Sequence, residues 1–363
     1  MPYPKYDFNK FLKAGAERAR YLQALFNFIN PELKGLDNMV QVAQVDRIRA
    51  SLVQEKIECD YNEVYNALHT KNVQQNEIYH RVNAYTKAYK YIDQRFDELT
   101  LSNLKKGHEI LVRNTSQEKF GGILRNITDN KDSVYELPDE DQLDNLVKVL
   151  LKHSKSKRLD KPVIHALSVY LLFDIVQPFL VQNQCFSLIF FNVAIKRMGF
   201  DLGGLLSFEK YMLRDWNTHK SIKLNSLFPI NAKERMQADL TAFFENCYTI
   251  INESYLEVED DLIGALKKST NYENLKPIQR NSFNYFFELG FKKHYDKIGA
   301  LNERQQAILR DVVFQRTVTT KQMVMKYRCD RKTVQRDFAD LMEVGIVNYE
   351  GKTKTVNYHL SFA

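Results

Sequence analysis

Apolar residues recur at helical intervals along most of the chain. Between residues 16 and 29 they fall at Tyr21, Leu22, Leu25, Phe26 and Ile29, with polar or charged residues elsewhere. That is the stripe of an amphipathic helix. The helical pattern runs from Phe8 to about Leu99, and its last stretch, residues 76–99, is rich in Tyr, Lys and Asp on one side. Residues 113–140 break the pattern. Gly121-Gly122, Asn126, Asp129-Asn130, Asp132 and Pro138 predict irregular chain with one short hairpin. Asp139 and Glu140 then open a helix carrying Leu143, Leu146, Val147, Leu150 and Leu151.

Two segments beyond it are apolar nearly all round. Residues 163–176 carry Ile164, Leu167, Val169, Leu171, Leu172, Phe173 and Ile175, and residues 186–198 carry Leu188, Ile189, Phe190, Phe191, Val193 and Ile195. A helix without a polar face belongs at the centre of a domain. The two are joined by a short polar turn, residues 177–184. Backbone N–H groups at the start of a buried helix point into a concavity, so this turn is a candidate site. Residues 239–258 form a further amphipathic helix, and residues 260–299, basic, aromatic and polar, read as a helical linker.

Composition changes little in this picture. The chain has 363 residues, 44% hydrophobic and 27% charged, with 13 Gly, 8 Pro and a net charge of +7. Such a balance permits a nucleic-acid partner without requiring one. Cys59, Cys185, Cys247 and Cys329 lie far apart and form no metal-ligand spacing. The start is polar and aromatic, without a signal-peptide pattern, and no apolar run approaches the roughly 20 residues of a membrane span. A reduced, cytoplasmic protein with no membrane partner is the expectation.

The order and spacing of residues 100–258 resemble the core of the Fic (Fido) family. Its hallmark, H-P-F-x-(D/E)-G-N-G-R-x-x-R, lies between two buried helices. Here the matching stretch is Gln177-Pro178-Phe179-Leu180-Val181-Gln182-Asn183-Gln184-Cys185, with Leu188 at the last Arg. Gly122-Ile123-Leu124-Arg125 resembles the family's G-x-x-R before its flap, and His108-Glu109-Ile110-Leu111 the helix preceding it. The resemblance implies AMP transfer from ATP to a protein hydroxyl, with a His as base, an acidic metal ligand, anion-binding glycines and phosphate-binding arginines.

This sequence departs at nearly every one of those positions. Gln177 stands for the base, and an amide cannot accept a proton near neutral pH. Val181 stands for the metal ligand, and a hydrocarbon cannot coordinate a hard cation. Gln182 and Gln184 replace the glycines, and Cys185 and Leu188 replace the arginines. Pro178, Phe179 and Asn183 remain. Losing one such electrostatic partner commonly raises a barrier by about 2.7–4 kcal/mol, and several are lost together. No catalytic residue and no metal site is therefore assigned, and Arg125 and Asn183 are the remaining candidates for nucleotide contact. The family's inhibitory (S/T)-x-x-x-E-(G/N) motif is matched loosely by residues 54–59, with Glu58 as its acid. Cys185, at a helix start, is the one reactive residue type in the turn, but a small buried hydrophobe is the simpler role.

Residues 301–363 read as three helices and a hairpin, the winged-helix order. Thr319-Thr320 and Asp330 cap the second and third helices, and Gly345 ends the third. Residues 329–347 resemble the recognition helix of DeoR-type repressors. Arg328, Arg331, Lys332, Gln335 and Arg336 fall on the outer side, with Thr333 near the helix start and Lys352 and Lys354 in the wing. These are residue types that read phosphates and base edges. The module has five Lys and six Arg against four Asp and three Glu, a net of +4.

The expected architecture is mainly α: an N-terminal helical region (1–100), a Fic-type helical core with a short hairpin flap (101–260), a helical linker (261–300) and a winged helix-turn-helix domain (301–363). The expected function is a catalytically inactive, DNA-binding or signalling protein that uses no cofactor and binds duplex DNA. Two other readings stay open. One is an active nucleotidyltransferase using ATP and Mg, and the other is a protein-interaction scaffold with a protein partner or a second copy.

Overall fold

The computed structural model describes residues 5–70, 75–126, 140–156, 161–227, 238–352 and 356–361, leaving aside the side chains of 140–142 and 270–271. The chain order is α1 (Lys10–Ile29), α2 (Leu36–Gln54), α3 (Tyr61–His69), α4 (Glu77–Arg95), α5 (Leu101–Val112), α6 (Glu140–Lys155), α7 (Pro162–Val176), α8 (Asn183–Arg197), α9 (Phe208–Arg214), α10 (Trp216–Leu227) and α11 (Thr241–Lys267). It continues with α12 (Thr270–Glu273), α13 (Pro277–Tyr285), α14 (Phe291–Ala300), α15 (Glu303–Gln315), β1 (Thr317–Thr319), α16 (Thr320–Tyr327), α17 (Arg331–Val344), β2 (Val347–Glu350) and β3 (Asn357–Leu360). The fold is mainly α. The flap expected within 113–140 falls largely on 127–139, outside the described residues.

Two compact units divide the chain: residues 1–19 with 37–256, and residues 20–36 with 257–363. In the first, α7 and α8 pack against each other, with α4 and α6 alongside. Thirteen of the fifteen residues of α7 and eleven of the fifteen of α8 are buried, so neither helix has a face for water. Phe173 lies over Phe190 with ring centroids 4.0 Å apart, and Phe186 meets Phe173 edge-on. Each such side chain stabilises the fold by about 1.5–3 kcal/mol through burial.

Inside this apolar centre sits a buried ion pair. Lys223 of α10 reaches Asp174 of α7 at 2.8 Å, with the side chains 3% and 2% exposed. One turn earlier, His219 donates from Nδ1 to Asn246 Oδ1 (2.8 Å). Burial, with the Lys223 charge beside it, holds the His219 imidazole down at about 4, so the ring is neutral.

The second unit shows what residues 261–300 do. The stretch is helical, with a π turn at Phe286–Gly290 between α13 and α14. Its rings form a core around Phe28 of α1, which meets Phe286, Phe287 and Phe291 at 5.8, 6.3 and 5.4 Å. Following it, Asn302 caps α15, Thr319 caps α16 in a box with Gln322, and Asp330 caps α17 by accepting from Thr333 N (2.9 Å). Gly345 ends α17 at φ 85°, a left-handed position that glycine adopts without steric cost.

The strands form one antiparallel sheet in the order β1-β3-β2, with Thr317 opposite His359 and Val347 opposite Leu360. Phe338 of α17 stacks on Tyr358 of β3 at 3.6 Å. The sequence reading had the hairpin but not β1. Among the described residues no helix is long and apolar enough to cross a membrane.

Candidate functional site

The turn between α7 and α8 is built by four sets of bonds. Gln177 ends α7 in the left-handed region (φ 40°), with its N–H on Phe173 O at 2.9 Å. Asn183 closes the loop reciprocally: its Nδ2 donates to Phe179 O (2.7 Å) and its Oδ1 accepts from Phe179 N (3.0 Å). Arg125 is buried and clamps the end of α7, donating from Nε to Gln177 O (2.8 Å) and from Nη2 to Val176 O (3.2 Å). Its own N–H donates to Pro178 O (3.0 Å), beside the bridge between Leu124 and Phe179. The two residues left as nucleotide contacts thus hold backbone here.

His108 supplies the fourth set. It is fully buried and stacks on Phe179, with centroids 3.8 Å apart. Nδ1 accepts from Gly122 N (3.0 Å), so Nε2 carries the proton and donates to Val181 O (2.9 Å). Gly122 is required there: its φ is +69° and a Cβ would lie 2.9 Å from Lys105 O. Burial pushes the His108 imidazole down to about 4, against the hydrogen bond to Val181, which favours the charged form. The sign follows from linkage. Between pH 6.5 and about 4 the unfolded chain takes up a proton that the native ring refuses, so this group's contribution to stability falls as pH falls. In a nitrogen-15 NMR titration the His108 ring is expected to stay a neutral Nε2–H tautomer to about pH 4. A midpoint near 6.5 would refute that assignment.

The N-terminal end of α8 is occupied by the protein's own side chains. Gln182 sits in the left-handed region (φ 58°), which glycine adopts more readily than a residue with a side chain. It is 4% exposed and donates from Nε2 to Gln117 Oε1 at 2.9 Å. Arg81 holds the same Gln117 at 3.4 Å and Ser116 Oγ at 3.0 Å. Glu55, just beyond α2, places Oε1 3.0 Å from Cys185 N and also accepts from Gln184 N. Burial pushes the Glu55 carboxyl up, and these two N–H groups pull it down. A carboxylate therefore lies where the positive end of the α8 dipole would draw an anion.

Cys185 and Leu188 are fully buried, and burial raises the Cys185 thiol well above its usual range. The thiol is not activated by its place at a helix start. Glu58, the sequence candidate for the inhibitory acid, is exposed, and Glu55 makes the contact instead. Replacing Glu55 with Ala is expected to lower stability by about 1–2 kcal/mol, the usual weight of a charged helix cap. A urea midpoint within error of wild type would show the contact to be idle.

A second constellation lies on α16 and α17, joined by the short turn at Arg328–Asp330. Arg328, Arg331, Lys332, Gln335 and Arg336 are all exposed and their side chains make no hydrogen bond or ion pair among the described residues, whereas Thr333 is half-buried with its hydroxyl donating to Asp330 (2.5 Å). Two nearby cations are paired with buried carboxylates. Arg304 grips Asp337 at 2.6 and 3.1 Å, and Lys326 and the Tyr327 hydroxyl both reach Asp311. Positions 331 and 335, and 332 and 336, are one turn apart and form two adjacent rows. Lys352 is exposed beside the β2–β3 connection, and Lys354 lies outside the described residues. No group of three His, Cys, Asp or Glu gathers in a metal-binding arrangement among the described residues.

Solved structures with a similar chain path include Fic proteins. A Fic family protein from Desulfovibrio desulfuricans G20 superposes with a TM-score of 0.56 at 14% identity, covering 98% of both chains. The fold is a Fic fold. A Fic domain containing signaling protein from Bacteroides thetaiotaomicron VPI-5482 gives 0.51 at 15% identity, over 71% of this chain and 97% of that one. Fic-1 from C. elegans gives 0.50 at 12% identity, over 70% and 74%. No protein-family model and no curated protein matches the sequence. The α7–α8 turn and the start of α8 hold Gln177, Val181, Gln182, Gln184, Cys185 and Leu188.

Proposed function

We propose that this chain is a DNA-binding regulator in which a Fic-fold domain no longer transfers nucleotide and a C-terminal winged helix supplies the DNA contact. One observation carries the reading: the cations of α17 and its preceding turn, Arg328, Arg331, Lys332 and Arg336, are exposed with no carboxylate partner among the described residues, while the nearby Arg304 and Lys326 are paired with the buried carboxylates of Asp337 and Asp311. Ion pairs neutralise charge that folding places against the core. Cations left solvated in rows along a capped helix are suited to phosphate oxygens and guanine edges. The helix order α15, α16, α17 with the β2–β3 hairpin is that of a winged helix, in which the third helix enters the major groove.

The Fic-fold domain then acts as a folded partner of the DNA-binding unit. At its motif an amide, a valine and two buried apolar side chains replace base, metal ligand and arginines, and the Glu55 carboxylate competes for the helix N-terminus. Duplex DNA titrated against the full chain by fluorescence anisotropy tests the reading. If Arg328, Arg331, Lys332 and Arg336 each neutralise one phosphate, the slope of log K against log salt should be about −3.6. Absent binding, or binding insensitive to salt, would remove the proposal.

A further inference from the structure

A cavity of about 520 Å³ lies in the first unit, away from the α7–α8 turn. Its walls come from α2, α4, the end of α8 and the glycine turn at residues 203–204. Thirteen helical residues, about 20 Å of α8 at 1.5 Å each, separate Asn183 at the turn from Lys196 at the cavity. The volume lies within the roughly 300–1,000 Å³ range of small-molecule sites.

Val40, Ile48, Tyr85 and Tyr89 supply apolar and aromatic surface, and Gln44 and Thr86 add neutral hydrogen-bonding groups. The two cations on the wall are already engaged. Arg47 donates from Nη2 to Gly204 O (2.9 Å), and its charge acts on the carboxyls of Asp201 and Glu209. Lys196 is bound to Asp93 at 2.7 Å. An anion entering here would meet Asp201 and gain no free counter-charge. An uncharged ring would find two tyrosines to stack on and polar edges to bond. The Tyr85 hydroxyl is buried, with the Ser51 hydroxyl as its neighbour.

We infer that this cavity is a second binding site, for a small uncharged aromatic or heteroaromatic molecule carrying hydrogen-bonding groups on its edge. It is independent of the motif turn and of the exposed face of α17. Nothing in it recognises phosphate.

Indole and benzoate, similar in size and opposite in the property at issue, are suitable probes. Saturation-transfer NMR on the full chain is expected to show indole bound at millimolar concentration and benzoate weaker by about tenfold or more, because the carboxylate gains no unpaired cation. Gln44→Trp, which projects a large side chain from a half-buried wall position, is expected to abolish the indole signal. Circular dichroism confirms that the variant folds, and Thr86→Phe replaces it if it does not. No indole signal in the wild type, an indole signal unchanged by the filled cavity, or benzoate binding as well as indole would each overturn the inference.

Discussion

Replacing Arg331 and Arg336 together with Glu is expected to weaken duplex-DNA binding about 100-fold at moderate salt. The change removes two phosphate-neutralising contacts and adds two like charges on the same helix face, which corresponds to roughly 3 kcal/mol. Both side chains are exposed and engage nothing in the described protein, so folding has little to lose. A glutamate at 331, in the first turn of α17, even suits the helix dipole. The melting temperature is therefore expected to stay within about 2 °C while the anisotropy titration collapses. An affinity unchanged by the double substitution would show that α17 does not touch DNA.

The largest expected effect on stability lies in the buried pair. Lys223→Met leaves the Asp174 carboxylate 2% exposed with its cation gone. Breaking a buried pair from one side costs about 3–5 kcal/mol, because an uncompensated charge stays in the core. The whole stability of a domain is only about 5–15 kcal/mol. Adding Asp174→Leu to the same variant should restore most of the loss, since a hydrophobic pair of similar volume needs no solvation. Trp216, the one tryptophan of the chain, lies 5.7 Å from the Lys223 ammonium, so its fluorescence reports unfolding around this site. Equal urea midpoints for the single and double variants would refute the buried-charge account.

The readable features were those with a local cause. Residues 163–176 and 186–198 announced a buried helix pair because they have no polar face, and their packing at the centre follows. The caps at Thr319, Asp330 and Gly345 were legible because each acts within three residues of its own position. The polar turn at residues 177–184 was found for the same reason.

Features that depend on distant partners were not legible. Residues 261–300 looked like a linker because the ring that organises their phenylalanines, Phe28, lies some 250 positions earlier. β1 is three residues long, too short to show alternation, and its partner β3 lies forty residues on. Asp174 and Lys223 are 49 positions apart, and neither carries a local sign of its partner. Motif spacing points to Glu58. In the structure α2 ends at Gln54 and Lys56 turns the chain with φ 61°, which leaves Glu55 on the buried side and Glu58 in water. Gln182 is the most instructive case. Its backbone holds a left-handed position that glycine would fill without strain, and its side chain bonds Gln117. The sequence shows the glutamine but not the bend.

On the proposed reading a Fic fold persists here without Fic chemistry. The most direct test is incubation of the full chain and its Glu55→Ala variant with Mg and ATP labelled at the α-phosphate, followed by electrophoresis. Freeing the α8 N-terminus does not restore a base, a metal ligand or arginines, so neither protein is expected to label itself or an added protein mixture. A labelled band from either one, lost when unlabelled ATP is added in excess, would contradict the account.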